Sequence, residues 1–349
     1  MFKLPRLAAA LALTFAAHAA LADDPAPNPP PATSQFKEIA AHDQVRLMGR
    51  GVNVIGYDPF WRDGAQGNYK EAHFAKIKAA GFATVRVVLF AFRALDAHNR
   101  LDPTWLNRLD WVVATATKHG LNVIIDEHDF DDCSKDVAAC MPKLKAVWTQ
   151  LAARYRNEPN TVVFELLNEP HGQFDAATWN ASFPQVLAVM RKTNPSRNVI
   201  IGGVRWNSRD TLKDLALPAA DTHLIATFHY YDPFPFTHQG ASWADEPIRS
   251  TTGIRFGKPA ETARIDQDFA AVKAWSDASG RPVFLGEFGA YDKAAMDDRV
   301  LWTSTVARTA EKYGFAWAYW QFSSDFLLYD FKQDDFVRPI LKALVPDGR

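Results

Sequence analysis

The chain alternates eight times between a short apolar run and a segment with helical periodicity. The apolar runs are continuous, which is typical of strands buried on both faces of a parallel sheet. Eight successive strand–helix units can close into a (β/α)8 barrel. The predicted strands are residues 51–55, 84–90, 122–127, 161–167, 198–202, 223–228, 283–287 and 315–320.

The residues between these runs support the same architecture. Gly120 and Gly314 each fall between a helix and the next strand, where a glycine ends many helices. Asp102 and Pro103 are typical of the first residues of a helix. An open doubly wound sheet is the alternative, but no glycine-rich phosphate loop follows any strand. We therefore predict an α/β fold with one TIM barrel. Its predicted helices are residues 70–80, 103–119, 142–155, 176–192, 210–215, 261–279, 297–313 and 335–343.

The first 22 residues are predicted to be a secretory signal peptide rather than part of the barrel. Lys3 and Arg6 form a basic start, residues 7–21 are apolar, and residues 20–22 form a small-x-small cleavage site. The apolar run is short for a membrane span, although an uncleaved anchor is the alternative. We expect a secreted or periplasmic protein after cleavage near Ala22.

A proline-rich linker at residues 23–35 and a catalytic domain at residues 36–349 are predicted to follow. The chain is 48% hydrophobic and 23% charged, which is an ordinary composition for a soluble globular domain. Loss of Lys3 and Arg6 takes the formal net charge from −1 to −3. Without clustered basic residues we expect no nucleic-acid partner and, in the mature form, no membrane partner. We also expect a monomer.

The two cysteines, Cys133 and Cys140, lie close together in one predicted loop. An exported protein meets an oxidising compartment, so we expect a local disulfide, with two free thiols as the alternative. A metal site is not favoured, because no paired Cys or His spacing accompanies them.

Two predicted strands end in a glutamate. Residues 164–170 read Phe-Glu-Leu-Leu-Asn-Glu-Pro, and Pro170 must stop the strand, leaving Glu169 at its exit. Residues 282–289 repeat the pattern with Glu287. Carboxyl ends of barrel strands carry the active sites of such folds. Two carboxyl groups about 5–5.5 Å apart are the requirement for cleaving a glycosidic bond with retention of configuration.

Other polar and aromatic residues lie at the exits of further strands. A purely structural barrel has no reason to concentrate them at one end. By strand alternation Glu165 shares the face of Glu169, and we interpret it as a buried structural acid. The other exit residues are Arg86, Asp126, Glu127, His128, Asn168, Trp206, Asn207, His229, Tyr230, Tyr231 and Trp320.

Three stretches resemble the glycoside hydrolase family 5 enzymes, the cellulase family. They are Leu-Asn-Glu-Pro at residues 167–170, Gly-Glu-Phe-Gly at 286–289, and the block from His229 to Trp243. The last block is similar to the branch that contains bacterial endo-β-1,4-glucanases. The sequence departs from many relatives at residues 54–61, where they have a Gly-Asn segment, and this leaves the substrate open.

The resemblance implies that Glu169 is the acid/base and Glu287 the nucleophile, with a non-proline cis peptide after Trp320. We expect Arg86 and Tyr231 to lower the pKa of Glu287, and burial with a negative neighbour to keep Glu169 protonated. The resemblance also implies supporting roles for Arg86, His128, Asn168, His229, Tyr231 and Trp320.

Trp320 offers an apolar face on which a sugar ring can stack. Trp61, Trp206 and Trp243 lie in predicted loops and either extend this surface or pack in the interior.

The predicted function is that of a secreted, retaining endo-β-1,4-glucanase with no cofactor and no metal, acting on a polysaccharide or oligosaccharide. A β-mannanase, a xyloglucanase or a β-1,3-glucanase would use the same machinery. Two other classes remain as alternatives. One is a carbohydrate-binding barrel without turnover, and the other is a metal hydrolase built on Asp126, His128 and His229.

Overall fold

A computed structural model describes residues 35–346 of the chain, so the predicted signal peptide and residues 23–34 lie outside the described residues. Eight parallel strands close into a barrel in sequential order, each hydrogen-bonded to the next and β8 to β1. The predicted (β/α)8 barrel is confirmed. Its strands are β1 (Arg50–Val54), β2 (Thr84–Leu89), β3 (Asn122–Glu127), β4 (Val162–Glu165), β5 (Val199–Gly202), β6 (Leu224–Tyr230), β7 (Val283–Phe288) and β8 (Ala316–Tyr319).

Helices surround the barrel, and the main core lies between the two layers. The strand residues are almost all buried, which explains why the strands read as continuous apolar runs. The helices are α1 (Ala41–Met48), α2 (Glu71–Ala79), α3 (Pro103–Lys118), α4 (Phe130–Lys135), α5 (Val137–Arg154), α6 (Ala176–Arg191), α7 (Val204–Asn207), α8 (Phe234–Thr237), α9 (Pro259–Ser279), α10 (Met296–Lys312) and α11 (Arg338–Leu344).

Helix α1 was not predicted, and it closes the amino end of the barrel. Ala41, Val45 and Met48 form a second apolar cluster with residues from the amino halves of the strands, separate from the main core. The barrel partners in this cluster are Ile124, Val163, Ile200, Ile225, Phe284, Ala316 and Ala318. The opposite end is left open.

Three predicted helices differ from the observed ones. Helix α5 begins at Val137 rather than at Pro142, because the side chain of Asp136 caps it by accepting from the Ala139 N–H. Helix α11 begins at Arg338, because residues 335–336 pair with Tyr329–Asp330 in a two-stranded hairpin. The predicted helix at 210–215 is a 3-10 helix, Arg209–Asp214.

Cys133 in α4 and Cys140 in α5 form the expected disulfide, with their Cα atoms 4.9 Å apart. Both cysteines are buried. The bond therefore fixes the loop that follows β3 at the open end of the barrel. Among residues 35–346, every helix is too short or too polar to cross a bilayer.

Candidate active site

The two predicted glutamates meet at the open end of the barrel. One carboxyl oxygen of Glu169, one of Glu287 and a ring nitrogen of His229 all lie within 4.8 Å of one another. Glu287 is buried and the side chain of Glu169 is 14% exposed. Two strand exits that are distant in sequence thus place two carboxyl groups across one cleft.

A β-bulge directs Glu287 into the cleft. The register between β6 and β7 shifts so that Phe228 pairs with Leu285 but His229 pairs with Glu287, leaving Gly286 as the extra residue. Simple alternation would send Glu287 to the other face of the sheet, and the bulge reverses this. A side chain at Gly286 would lie 2.8 Å from the His229 ring, so glycine is needed there.

Glu169 leaves its strand through an unusual backbone conformation. Its φ is +41°, in the left-handed region that non-glycine residues rarely adopt. The N–H of Asn168 donates to the carbonyl of Glu127 at 2.8 Å, and Pro170 prevents the ladder from continuing. The turn therefore presents the carboxyl group to the cleft at the point where the strand stops.

Arg86 links the acidic residues beneath the cleft. Its guanidinium donates to both oxygens of Glu165 (2.7 and 2.9 Å), to Glu287 Oε1 (2.8 Å) and to Asn168 Oδ1 (2.8 Å). It also lies 3.1 Å from Asp126. Burial alone would lower the Arg86 pKa, but the surrounding carboxylates outweigh it and raise that pKa well above its usual range. The structure thus places Glu165 as the buried structural acid that we predicted.

His128 lies between a carboxyl group and an amide. Its Nδ1 is 2.6 Å from Asp126 Oδ2, and its Nε2 is 3.3 Å from the Asn168 amide nitrogen. Its ring stacks on Trp320 with centroids 5.7 Å apart and planes 5° from parallel. Burial lowers the His128 pKa to about 3, so the ring is neutral and holds Asn168 and Trp320 in place.

His229 has the same kind of environment on the other side of the cleft. Its Nδ1 is 2.6 Å from Glu169 Oε1 and 3.6 Å from Glu287 Oε2, and its Nε2 is 3.3 Å from the amide nitrogen of Asn207. Burial lowers the His229 pKa to about 4. His229 therefore contacts both glutamates as a neutral group.

The protonation of the two glutamates differs. Burial raises the pKa of Glu169 from its ordinary 4.5 to about 8, with Arg86 opposing the shift and Asp131 adding to it. Near neutral pH the Glu169 carboxyl is protonated. The expected direction of the Glu169 pKa shift agrees with the structure, and burial is its largest cause, ahead of the negative neighbour that we also expected.

The expected net lowering of the Glu287 pKa is not what the structure gives. Burial raises that pKa above 4.5, with His229 and then Arg86 opposing the effect of burial and the charge of Glu169 adding to it. Arg86 does act in the predicted direction but does not outweigh burial. The Tyr231 hydroxyl donates to Glu287 Oε2 at 2.8 Å, and burial keeps the pKa of that hydroxyl well above its usual range.

The sequence model of the cellulase family (glycosyl hydrolase family 5) matches residues 45–326. This chain belongs to glycosyl hydrolase family 5. The predicted membership is confirmed, and so is the predicted non-proline cis peptide between Trp320 and Gln321.

Several relatives have been described as endoglucanases. Endoglucanase H of Acetivibrio thermocellus is 32% identical over 91% of this chain, which spans only 35% of that longer protein. The crystal structure of endoglucanase Cel5A from Thermotoga maritima superposes with a TM-score of 0.84 at 35% identity, covering 88% of this chain and all of that one. Complexes of Thermotoga maritima Cel5A with cellobiose and with mannotriose each superpose with a TM-score of 0.82, at 34% and 33% identity, covering 87% of this chain and all of those.

The four tryptophans considered for substrate stacking fall into two groups in this family 5 chain. Trp320 lies at the cleft floor, and Trp206 and Trp243 are exposed at its rim (55% and 58%). Trp61 is buried, its indole N–H donates to the Val88 carbonyl at 2.9 Å, and its ring packs on Trp105. The prediction that Trp61 stacks on the substrate is therefore wrong, and the alternative, that it packs in the interior, is correct.

Sequence reasoning missed several residues of the site. The ring of Trp206 stacks on His171 at 4.5 Å, and His171 Nδ1 is 2.8 Å from the carbonyl oxygen of Glu169. Asn53 accepts from Arg86 at 2.9 Å. Tyr57 is 64% exposed beside Phe90, in the segment that departs from many relatives. Only the position of Asn53 within a strand, two residues before the end predicted at residue 55, could have indicated a place in the site.

Within residues 35–346, Glu169, His229 and Glu287 form the group that could hold a metal ion. This cluster differs from the Asp126, His128 and His229 set that the metal-hydrolase alternative needs. Each of its members is already hydrogen-bonded within the protein, so the geometry serves an acid pair directly.

Proposed function

We propose that this chain is a secreted, retaining endo-β-1,4-glucanase in which Glu169 and Glu287 act by double displacement. The observation that carries the proposal is the approach of their carboxyl oxygens to within 4.8 Å. Retaining enzymes need carboxyl groups about 5–5.5 Å apart, whereas inverting enzymes need roughly 6.5–9.5 Å to admit a water molecule. The short separation favours retention.

In the first step, the Glu287 carboxylate attacks the anomeric carbon while Glu169 gives its proton to the departing glycosidic oxygen. Arg86 and Tyr231 each hold one oxygen of Glu287, which fixes the attacking group and stabilises its charge. The product of this step is a glycosyl ester on Glu287 with the leaving sugar protonated.

In the second step, Glu169 is ionised and takes a proton from water, and the water oxygen attacks the anomeric carbon. The bond to Glu287 breaks, and the sugar is released with its original configuration. Once Glu287 is esterified its negative charge is gone, so the pKa of Glu169 falls and the residue can act as a base. The same group thus serves as acid and then as base.

Sugar binding would use the aromatic surfaces of the cleft. The Asn168 side chain is held by Arg86 and His128, and its amide can hydrogen-bond a sugar 2-hydroxyl, a contact that strengthens in the transition state. Trp320 supports the ring being cleaved, and Trp206 and Trp243 extend the surface along the rim. An open cleft with exposed tryptophans suits attack within a polymer, by a monomeric enzyme.

A β-1,4-mannan is the second candidate substrate, because the structural neighbour Cel5A has been described with both cellobiose and mannotriose. A reducing-sugar assay on carboxymethylcellulose, barley glucan, xyloglucan, mannan and laminarin distinguishes the candidates. We expect the largest release of reducing sugar from the β-1,4-glucans. If reducing sugar were released only from mannan, xyloglucan or laminarin, that polymer would be the substrate instead.

Azide rescue tests the roles of the two glutamates. Glu287→Ala should abolish turnover, and azide should restore part of it with an α-glycosyl azide as product. The Glu169→Ala variant should still carry out the first step with an activated aryl glycoside. Azide should then replace water in the second step and give the β-glycosyl azide. Reversed stereochemistry would exchange the two roles.

Two controls separate the other classes. Activity that survives EDTA excludes a metal hydrolase. Binding to insoluble cellulose without any release of sugar would instead favour a carbohydrate-binding barrel.

A further inference from the structure

Two histidines flank the cleft, and each is held between a carboxyl group and an asparagine amide. In both cases Nδ1 lies 2.6 Å from a carboxyl oxygen and Nε2 lies 3.3 Å from an amide nitrogen. For His128 the two partners are Asp126 and Asn168, and for His229 they are Glu169 and Asn207. Asn168 belongs to the family motif, whereas the sequence marked Asn207 only as one of the residues at a strand exit and indicated no role for it.

The charges around His229 decide which ring nitrogen carries its proton. Its Nδ1 faces Glu169 Oε1 at 2.6 Å and Glu287 Oε2 at 3.6 Å, and both are acceptors. Both carboxyl oxygens attract a proton on Nδ1, whereas they would repel a lone pair at that position. An amide N–H from Asn207 then completes the arrangement, because it donates to the lone pair on Nε2.

This arrangement fixes the position of the acid proton on Glu169. Since His229 Nδ1–H already donates to Oε1, that oxygen acts as an acceptor. The carboxyl proton must then lie on Oε2, which is the oxygen left free for the substrate. Loss of the Asn207 amide would allow the other tautomer, in which Nδ1 accepts a hydrogen bond from an Oε1–H group, so that the acid proton points away from the substrate.

We propose that Asn207 is a positioning residue that fixes the tautomer of His229 and thereby presents the Glu169 proton to the departing oxygen. This inference rests on the proposed function, because it assigns Glu169 the role of general acid. Asn207 itself does not contact the substrate and acts only through His229.

The backbone around Asn207 explains why asparagine is used. Within the short element α7, Arg205, Trp206 and Asn207 have φ values of +55°, +58° and +53°, so these three residues form a left-handed turn rather than a right-handed α-helix. Asparagine, aspartate and glycine tolerate this conformation best. Asn207 is buried, and the carboxyl end of β5 at Gly202 lies directly against its side chain. Glycine and aspartate are therefore substitutions that keep the turn.

The first experiment compares aryl β-cellobiosides with good and poor leaving groups. Asn207→Gly removes the amide, and Asn207→Asp replaces the donor by an acceptor. For both variants kcat/KM on phenyl β-cellobioside should fall at least about tenfold, part of the 10²–10⁴-fold supplied by general acid catalysis. On 2,4-dinitrophenyl β-cellobioside, which needs no acid in its first step, kcat/KM should stay within about threefold of the wild type.

Asn99 provides a matched control, because it is also left-handed (φ +56°) but lies in the loop between β2 and α3, where its carbonyl bonds Gln150. Asn99→Gly should leave both substrates unaffected. Equal losses on both substrates in the Asn207 variants would overturn the proposal, because they would indicate general damage to the cleft.

The second experiment reads the tautomer directly and needs no turnover. Long-range ¹H–¹⁵N correlation spectra of histidine-labelled protein distinguish an Nδ1–H ring from an Nε2–H ring, and His229→Asn assigns the signal. The wild type should show His229 with its proton on Nδ1, and Asn207→Asp should show a proton on Nε2. A wild-type proton on Nε2, or an unchanged ring in the aspartate variant, would overturn the inference even if the enzyme hydrolyses glucans. Failure of the wild type to hydrolyse any cellobioside would count against the proposed function alone.

Discussion

The raised pKa of Glu169 predicts the alkaline limit of activity. Burial takes this pKa from 4.5 to about 8, which corresponds to roughly 5 kcal/mol by which the site favours the neutral acid over the carboxylate. Because the acid must be protonated, kcat/KM should hold below about pH 8 and fall tenfold per pH unit above it. On the acid side, Glu287 must be ionised, and its raised pKa places that limb above pH 4.5.

The assay measures kcat/KM for phenyl β-cellobioside between pH 4 and 10, under conditions in which the fold is shown to be intact. The limb is assigned with Glu169→Ala and 2,4-dinitrophenyl β-cellobioside, whose first step needs no acid. For that pair the alkaline limb should vanish while the acid limb remains. Direct titration of Glu169 by ¹³C NMR in the Glu287→Gln variant should give a lower pKa, because one negative neighbour is gone.

Two results would refute this reasoning. An alkaline limb with its midpoint below pH 6 would mean that burial does not control Glu169. A limb that persists in Glu169→Ala would mean that another group is responsible.

Three further substitutions test the surroundings of the site. Arg86→Lys keeps the charge but loses the paired bonds to Glu165, so the free energy of unfolding should fall by about 3 kcal/mol in denaturant titrations; an unchanged stability would contradict the role of Arg86 as the central link. Tyr231→Phe removes a hydrogen bond to the Glu287 carboxylate, and hydrogen bonds to charged groups typically contribute about 1.5–3 kcal/mol. The pKa of Glu287 should therefore rise, and the acid limb of kcat/KM should move to higher pH. An acid limb that stays in place would show that the bond does not stabilise the carboxylate. Burial and a neighbouring acid raise the pKa of Glu127 well above its unfolded value of 4.5, so the fold loses stability as the pH rises above that value. Glu127→Gln should therefore exceed the wild type in Tm at pH 8 and lose this advantage at pH 5, with a difference that grows by at most about 1.4 kcal/mol per pH unit, and a constant offset would exclude the linkage.

The strands were predictable because each is buried on both faces, and the ends of its apolar run therefore lie within two residues of the observed strand ends. Helix α1 was not, because its eight residues include only three buried apolar side chains, those of Ala41, Val45 and Met48. These residues follow helical spacing, but a pattern of two turns is too short to distinguish a helix from a loop. Its burial is determined by tertiary contacts alone.

The site also contains residues that the sequence could predict and residues that it could not. Glu169 and Glu287 were predictable, since each is a carboxylate where an apolar strand ends. Sequence alone could not separate the buried Trp61 from the exposed Trp206, because both are tryptophans in loops. The role of Asn207 depends on a left-handed turn, and a backbone conformation of that kind leaves no periodic pattern.

The closure of the barrel by α1 has a practical consequence for attachment. The chain enters beside this helix, where the Ile39 carbonyl accepts from Asn198 and Lys37 is exposed. This is the end of the molecule opposite the two glutamates. Protein coupled to a bead through Lys37 should therefore present its cleft outward, toward a polymer too large to diffuse around it.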